Sequence, residues 1–162
     1  VQLNLPDAAA VRAAFTAVMA AAAANAPQAR VDGVLVAPML RGGIECILGV
    51  SRDAVFGPVV MFGLGGLFVE AMGDVAFRVA PFDTDEALRM VADTRASKVL
   101  AGLRGAPPSD TQALAQALSD LSCYAAAHAP WLESLEANPV LVRPACQGLV
   151  ALDAVLIGRP PD

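Results

Sequence analysis

Glu136-Ala137-Asn138-Pro139-Val140-Leu141-Val142, followed after a turn over residues 144–148 by Val150-Ala151-Leu152-Asp153-Ala154, is the stretch whose reading decides this chain. Its apolar runs and turn residues spell a strand, a turn and a second strand, an antiparallel hairpin within residues 131–158. Side chains two apart in a strand share a face, so Glu136 and Asn138 point the same way, and Asp153 reaches that face from the partner strand. Two carboxylates and an amide oxygen converging on one point make a hard-oxygen set suited to Mg²⁺. We read it as a magnesium–nucleotide site. A solvated strand acid, a turn opener and a surface acid would leave the same letters, and spacing alone keeps both readings open.

Composition sets the frame. At 162 residues the chain is one domain or part of a larger one, with length enough for a real core. Apolar residues make up 56%, largely alanine, and charged residues only 17%. That balance predicts helices packed through small side chains, and surface buried against another chain or lobe. A net charge of −5 without a basic patch argues against nucleic acid as a main partner. Cys46, Cys123 and Cys146 are odd in number and form no C-x-x-C, which fits reduced thiols in a cytoplasmic protein. His128, the sole histidine, reads as a helix cap or surface residue rather than a phosphate carrier. The alanine run of residues 8–24 imitates a signal peptide, but Pro6 and Asp7 precede it and Arg12 and Thr16 interrupt it. It reads as a soluble helix, with no stretch qualifying as a membrane span.

Outward from the hairpin, residues 1–5 alternate as a short strand, and Asp7 caps a helix with Val11, Phe15, Val18, Met19 and Ala22 on one face. Opening directly on a strand suggests a chain cut within a sheet. Residues 33–40 read as a strand, and residues 44–50 as another closed by Ser51-Arg52-Asp53. Within the latter, Glu45 fits a half-solvated face or a ligand-facing position equally well. An apolar strand from Phe56 runs into Gly63-Leu64-Gly65-Gly66 and on to Glu70. These glycines could cradle a phosphate or serve a plain hairpin turn; neither a dinucleotide fingerprint nor a P-loop is present. Residues 74–81 form a strand bearing Arg78, either a cross-strand partner or a phosphate clamp. Helices follow over 82–91, 96–100 and, from the capping box Ser109-Asp110-Thr111-Gln112, to about Ala127. The last presents Leu114, Ala117, Leu118, Leu121 and Ala125 on its apolar face. The whole is α+β, helices against a mostly antiparallel sheet.

Read together, these landmarks resemble the ATP-grasp domain of the NDP-forming (ADP-forming) acyl-CoA synthetases. The resemblance spans nearly the whole chain. It runs through Met39, Gly43-Ile44-Glu45, Gly49, Asp53, Phe56-Gly57-Pro58, Phe62 to Gly66, Glu70, Asp74, Arg78 and Pro81, then Leu100 to Gly105, Glu136 to Pro139 and Leu152-Asp153-Ala154. It implies the C-terminal subdomain of an ATP-grasp fold holding ATP or ADP between two lobes. Glu136, Asn138 and Asp153 would hold Mg²⁺ on the phosphates. The hinge around Ala37 and Met39 would face adenine, Met39 packing on the ring; family members often carry glutamine where Ala37 stands. Glu45, Arg78 and the loop Gly63, Gly65, Gly66 would lie toward the nucleotide. For Arg104 the pattern matches without an assignable role.

The family interconverts acyl-CoA, ADP and phosphate with acid, CoA and ATP through a phosphohistidine. That histidine, the CoA-binding domain and the lysine-bearing N-terminal subdomain find no match here; Lys98 is the only lysine. Residues 1–162 are therefore expected to form a partial ATP-grasp domain without catalytic residues of its own. Its partners would be nucleotide and a CoA-binding domain or subunit of the same enzyme, an oligomer being left open, with neither nucleic acid nor membrane. Two other readings are a regulatory ATP-grasp-like region of a protein lysine acetyltransferase and a non-catalytic fragment that binds a partner chain.

Overall fold

A computed structural model describes residues 1–65, 73–103 and 105–159. The chain divides into two compact units, residues 1–41 and 42–162. Gly66, Glu70 and Arg104 lie outside the described residues.

In the first unit, helix α1 (Ala8–Asn25) starts where expected. Asp7 caps it, its Oδ1 accepting from the Ala10 N–H at 2.8 Å and satisfying an amide that the first turn leaves open. The helix buries no residue, and its 18 residues are long and apolar enough, by length and composition alone, to cross a membrane. The expectation that no stretch meets that test is corrected. Residues 1–5 and 33–40 are not strands either. Their alternation is genuine, but a strand exists only when a neighbour takes up its N–H and C=O groups. Among the described residues none does, and Leu35 stays 93% exposed. The two segments line an apolar cleft of about 390 Å³ together with Val11, Phe15 and Val18 of α1.

The second unit is a sheet with helices on one face. Strands β1 (Ile44–Asp53) and β2 (Gly57–Leu64) form a hairpin; β3 (Val75–Val79) pairs with β2, and β4 (Leu132–Val142) with the other edge of β1. All these pairs are antiparallel. Asp53 makes the first turn: its Oδ1 accepts from Val55 N–H at 2.7 Å and Phe56 N–H at 2.9 Å, and Gly57 leaves the turn at φ 77°. Helices α2 (Thr84–Ala92), α3 (Ala96–Leu100) and α4 (Thr111–Ala127) come between β3 and β4.

The closing hairpin is more divided than its sequence suggests. Its second arm is two strands, β5 (Leu149–Ala151) and β6 (Ala154–Gly158), both paired to β4. Pro139 is the reason: without an N–H it cannot donate to the ladder. There β4 slips register against β1, between Cys46 and Leu48. On the other side Leu152 N–H donates to Pro139 O at 2.9 Å, and Asn138 N–H to Asp153 O at 3.1 Å.

Register assigns the faces. The row Arg78, Val60, Val50, Leu135 lies on the helix-covered side, where Leu48, Phe62 and Ala76 pack against Met90, Leu100, Leu114 and Leu118. The row Phe77, Met61, Gly49, Glu136, Val155 lies on the opposite side. On α4, Ser119 and Ser122 are buried where the sequence predicts Ala117 and Leu121, which are only partly covered. The serines go inside because both hydroxyls donate to Phe82 O at 3.0 Å. Asp110, rather than Ser109, is the N-cap, accepting from Ala113 N–H at 3.1 Å. His128 is the C-cap, as expected.

Candidate functional site

Glu136 and Asn138 meet on the sheet face opposite α2–α4. Asn138 Nδ2 donates to Glu136 Oε1 at 2.9 Å. That bond fixes the amide's orientation and leaves the carbonyl Oδ1, a hard donor, turned to a different partner. The main chain of Asp153 lies across from Asn138, held by the 3.1 Å bond to Asp153 O. The Asp153 carboxylate accepts from Ala154 N–H through Oδ1 at 2.8 Å, and Oδ2 takes no bond from the described residues. Glu136, Asn138 and Asp153 are all exposed. Glu136 and Asn138, with the Asp153 main chain paired across from Asn138, offer two acids and an amide of the kind suited to a hard divalent cation. Among the described residues no cluster of three or more His, Cys, Asp or Glu occurs, so an amide oxygen has to complete any such set here.

Two glycines lie buried on this face, where neighbouring side chains close over them. Gly49 stands directly opposite Glu136; a Cβ there would approach Met61 Cε to 3.3 Å. The sequence reading names Gly49 only as a landmark, although a glycine inside an apolar strand is itself a sign that something approaches the backbone closely. Gly63, opposite Ile47 and Val75, lies on the same face, and a Cβ there would sit 2.9 Å from Val75 Cγ1. Glu45 is exposed on this face too, two positions along β1 from Ile47, about 7 Å at the strand rise.

The remaining site residues divide. Gly65 is buried, and its N–H already donates to Glu45 O at 2.7 Å, so that amide is not free for a phosphate. A Cβ at Gly65 would come within 3.0 Å of the Glu45 carbonyl carbon, so close packing on β1 explains this glycine. Gly66 lies outside the described residues. Arg78 requires a correction. The resemblance turns it toward the nucleotide, but alternation along β3 puts it on the helix side, behind the sheet from Glu136 and Asn138. There Nε donates to Glu86 Oε1 at 2.6 Å, Nη2 to Asp93 Oδ2 and Nη1 to Phe77 O at 2.9 Å. The hydrogen bonds it donates to Glu86 first and Asp93 second hold the guanidinium pKa above its ordinary value. Arg78 fastens α2 to β3. Ala37 and Met39 belong to the first unit, where Ala37 lines the apolar cleft and Met39 is half exposed.

Comparison with known proteins follows this geometry. A family profile described as an ATP-grasp domain matches residues 1–157, α1 included. The chain is 40% identical over 131 residues to the acetate–CoA ligase [ADP-forming] II subunit beta of Pyrococcus furiosus, covering 81% of this chain and 56% of that protein. It is 38% identical over 157 residues to subunit beta of ligase I of the same organism, covering 97% of this chain and 66% of that one. The chain thus spans less than two thirds of these relatives' length. A solved structure of dinucleotide forming acetyl-coenzyme A synthetase 1 from Ca. Korarchaeum cryptofilum, in complex with coenzyme A and Ca-AMPCP, superposes with a TM-score of 0.87 at 37% identity. That alignment covers 98% of this chain and 68% of the other.

Proposed function

We propose that this chain, which belongs to the ATP-grasp domain family, is the Mg-nucleotide-binding part of an ADP-forming acyl-CoA synthetase. The observation that carries the reading is the junction at Asn138, whose side chain holds Glu136 and whose N–H holds Asp153, on the sheet face opposite the packed helices.

Asn138 Oδ1, the Asp153 carboxylate and Glu136 would hold the cation. When bound, magnesium would neutralise charge on the nucleotide phosphates for in-line phosphoryl transfer. The chain's own part is positional. The Asn138 amide keeps Glu136 at a fixed angle, and its main-chain N–H holds Asp153 across from it. No general base is needed in this segment, because the histidine accepting the phosphoryl group would come from elsewhere in the enzyme. Glu45 lies on the same face and would flank the nucleotide. The CoA half of the reaction would come from a CoA-binding domain or subunit, as relatives named as beta subunits suggest. A cytoplasmic setting, where three free thiols stay reduced, accords with this.

Calorimetric titration of the chain with ATP, with and without Mg²⁺, tests the proposal. Magnesium-dependent binding is expected. Binding indifferent to Mg²⁺, or undiminished when Asp153 and Asn138 are both changed to alanine, would overturn the metal assignment.

A further inference from the structure

The turn joining β4 to β5 is gripped from outside the sheet by one side chain. Asp110, at the start of α4, accepts from Ala113 N–H through Oδ1 at 3.1 Å and from Gly148 N–H through Oδ2 at 2.9 Å. Its own N–H donates to Arg143 O at 2.8 Å, and Ala145 N–H donates to Pro108 O at 2.9 Å. Ser109 and Pro144 form an isolated bridge between the same two segments. Within the turn, Arg143 N–H donates to Gly148 O at 3.1 Å, and the Arg143 guanidinium to Gln147 O. Cys146 sits at φ 65°, a left-handed conformation that a non-glycine residue keeps only where its surroundings over-determine it.

Capping α4 needs only one oxygen of Asp110. The second, on Gly148, belongs to the turn. The turn matters because β5 has only three residues, paired Val142 to Leu149, Leu141 to Val150 and Val140 to Ala151. Three pairs give β5 little of its own to hold register before β6 takes it up at Ala154, and a slip of one residue turns every side chain to the other face. Asp153 follows two residues after β5, opposite Asn138.

We propose that Asp110 is a positioning residue for the Glu136–Asn138–Asp153 site, locking the β4–β5 turn in the register that brings Asp153 across from Asn138; this rests on the nucleotide reading above. The carboxylate is specifically required. An asparagine could serve either Ala113 N–H or Gly148 N–H with its oxygen, but would then present a donor to the other.

The test is Asp110→Asn beside Asp83→Ala, a control that removes the α2 cap, where Asp83 Oδ1 accepts from Glu86 N–H at 2.9 Å. Hydrogen exchange is read at the Asn138 and Leu152 amides, which bond across to Asp153 O and Pro139 O. Mg-ATP affinity is measured on the same samples. Asp110→Asn is expected to speed exchange at both amides and weaken Mg-ATP binding roughly tenfold, with Asp83→Ala changing neither. Unchanged exchange in Asp110→Asn, or the same changes in Asp83→Ala, would overturn the proposal. If wild-type chain binds no Mg-ATP while Asp110→Asn still speeds exchange at Asn138, the positioning role stands and the nucleotide reading falls.

Discussion

Asn138 Nδ2 lies 2.9 Å from Glu136 Oε1, joining residues two apart in a strand on the sheet face opposite α2–α4. The pair is exposed and owes little to packing. Asn138→Ala should therefore leave the thermal midpoint nearly unchanged and weaken Mg-ATP binding about tenfold or more, Asp153→Ala behaving alike. Calorimetry alongside a melting curve separates the two effects. A variant that melts at a lower temperature while keeping its nucleotide affinity would return these residues to a structural role.

Arg78 predicts the reverse. Its guanidinium bonds Glu86 and Asp93 behind the sheet, so Arg78→Ala should lower the melting temperature by a few degrees. Affinity for Mg-ATP should stay at the wild-type value. A loss of affinity without a loss of stability would restore the phosphate-clamp reading.

Gly65 is tightly enclosed against β1. Gly65→Ala must push a methyl group into backbone and should destabilise the chain by about 1–3 kcal/mol. Denaturant unfolding measures this, and a neutral result would mean that the β2 exit moves freely away from Glu45.

Acid should find the caps. Amides of Gly148, Ala113 and Cys146, in that order, hold the Asp110 pKa below its ordinary value; those of Phe56 and Val55 do the same for Asp53. For a depressed acid, the stabilisation is fully present above the unfolded-state pKa of about 4 and is lost as pH falls through the folded one. Melting temperature should drop below about pH 4, and Asp110→Asn should show a shallower drop across that window.

The thiols should divide two to one. Burial pushes Cys46 up to about 12, whereas Cys123 and Cys146 are exposed. A thiol reagent at neutral pH should label two groups in the native chain and the third only on unfolding. Since the folded state resists ionising Cys46, stability should fall as pH rises beyond the unfolded thiol's pKa, about 8.5.

Much of this was written locally. Asp7 before the alanine run, Asp83 before α2 and Asp53 before Gly57 are short-range signals, each needing only the amides a few residues ahead, and each does what its position predicts. Alternation in the closing hairpin put Glu136 and Asn138 on one face because the strand period is two. The order of landmarks marked the family, which the profile match over residues 1–157 bears out.

The rest needed pairing partners. Residues 1–5 and 33–40 carry the strand pattern, but pattern is not a ladder. The face of Arg78 relative to Glu136 is carried across three intervening strand pairings, and no local window of sequence holds that information. Pro139 could be seen to break a ladder, yet where β4 slips and which residue fills the gap were set only once β1 and β5 lay on either side. Sequence determined which residues could serve the site; register, a non-local property, decided which of them stand together on its face.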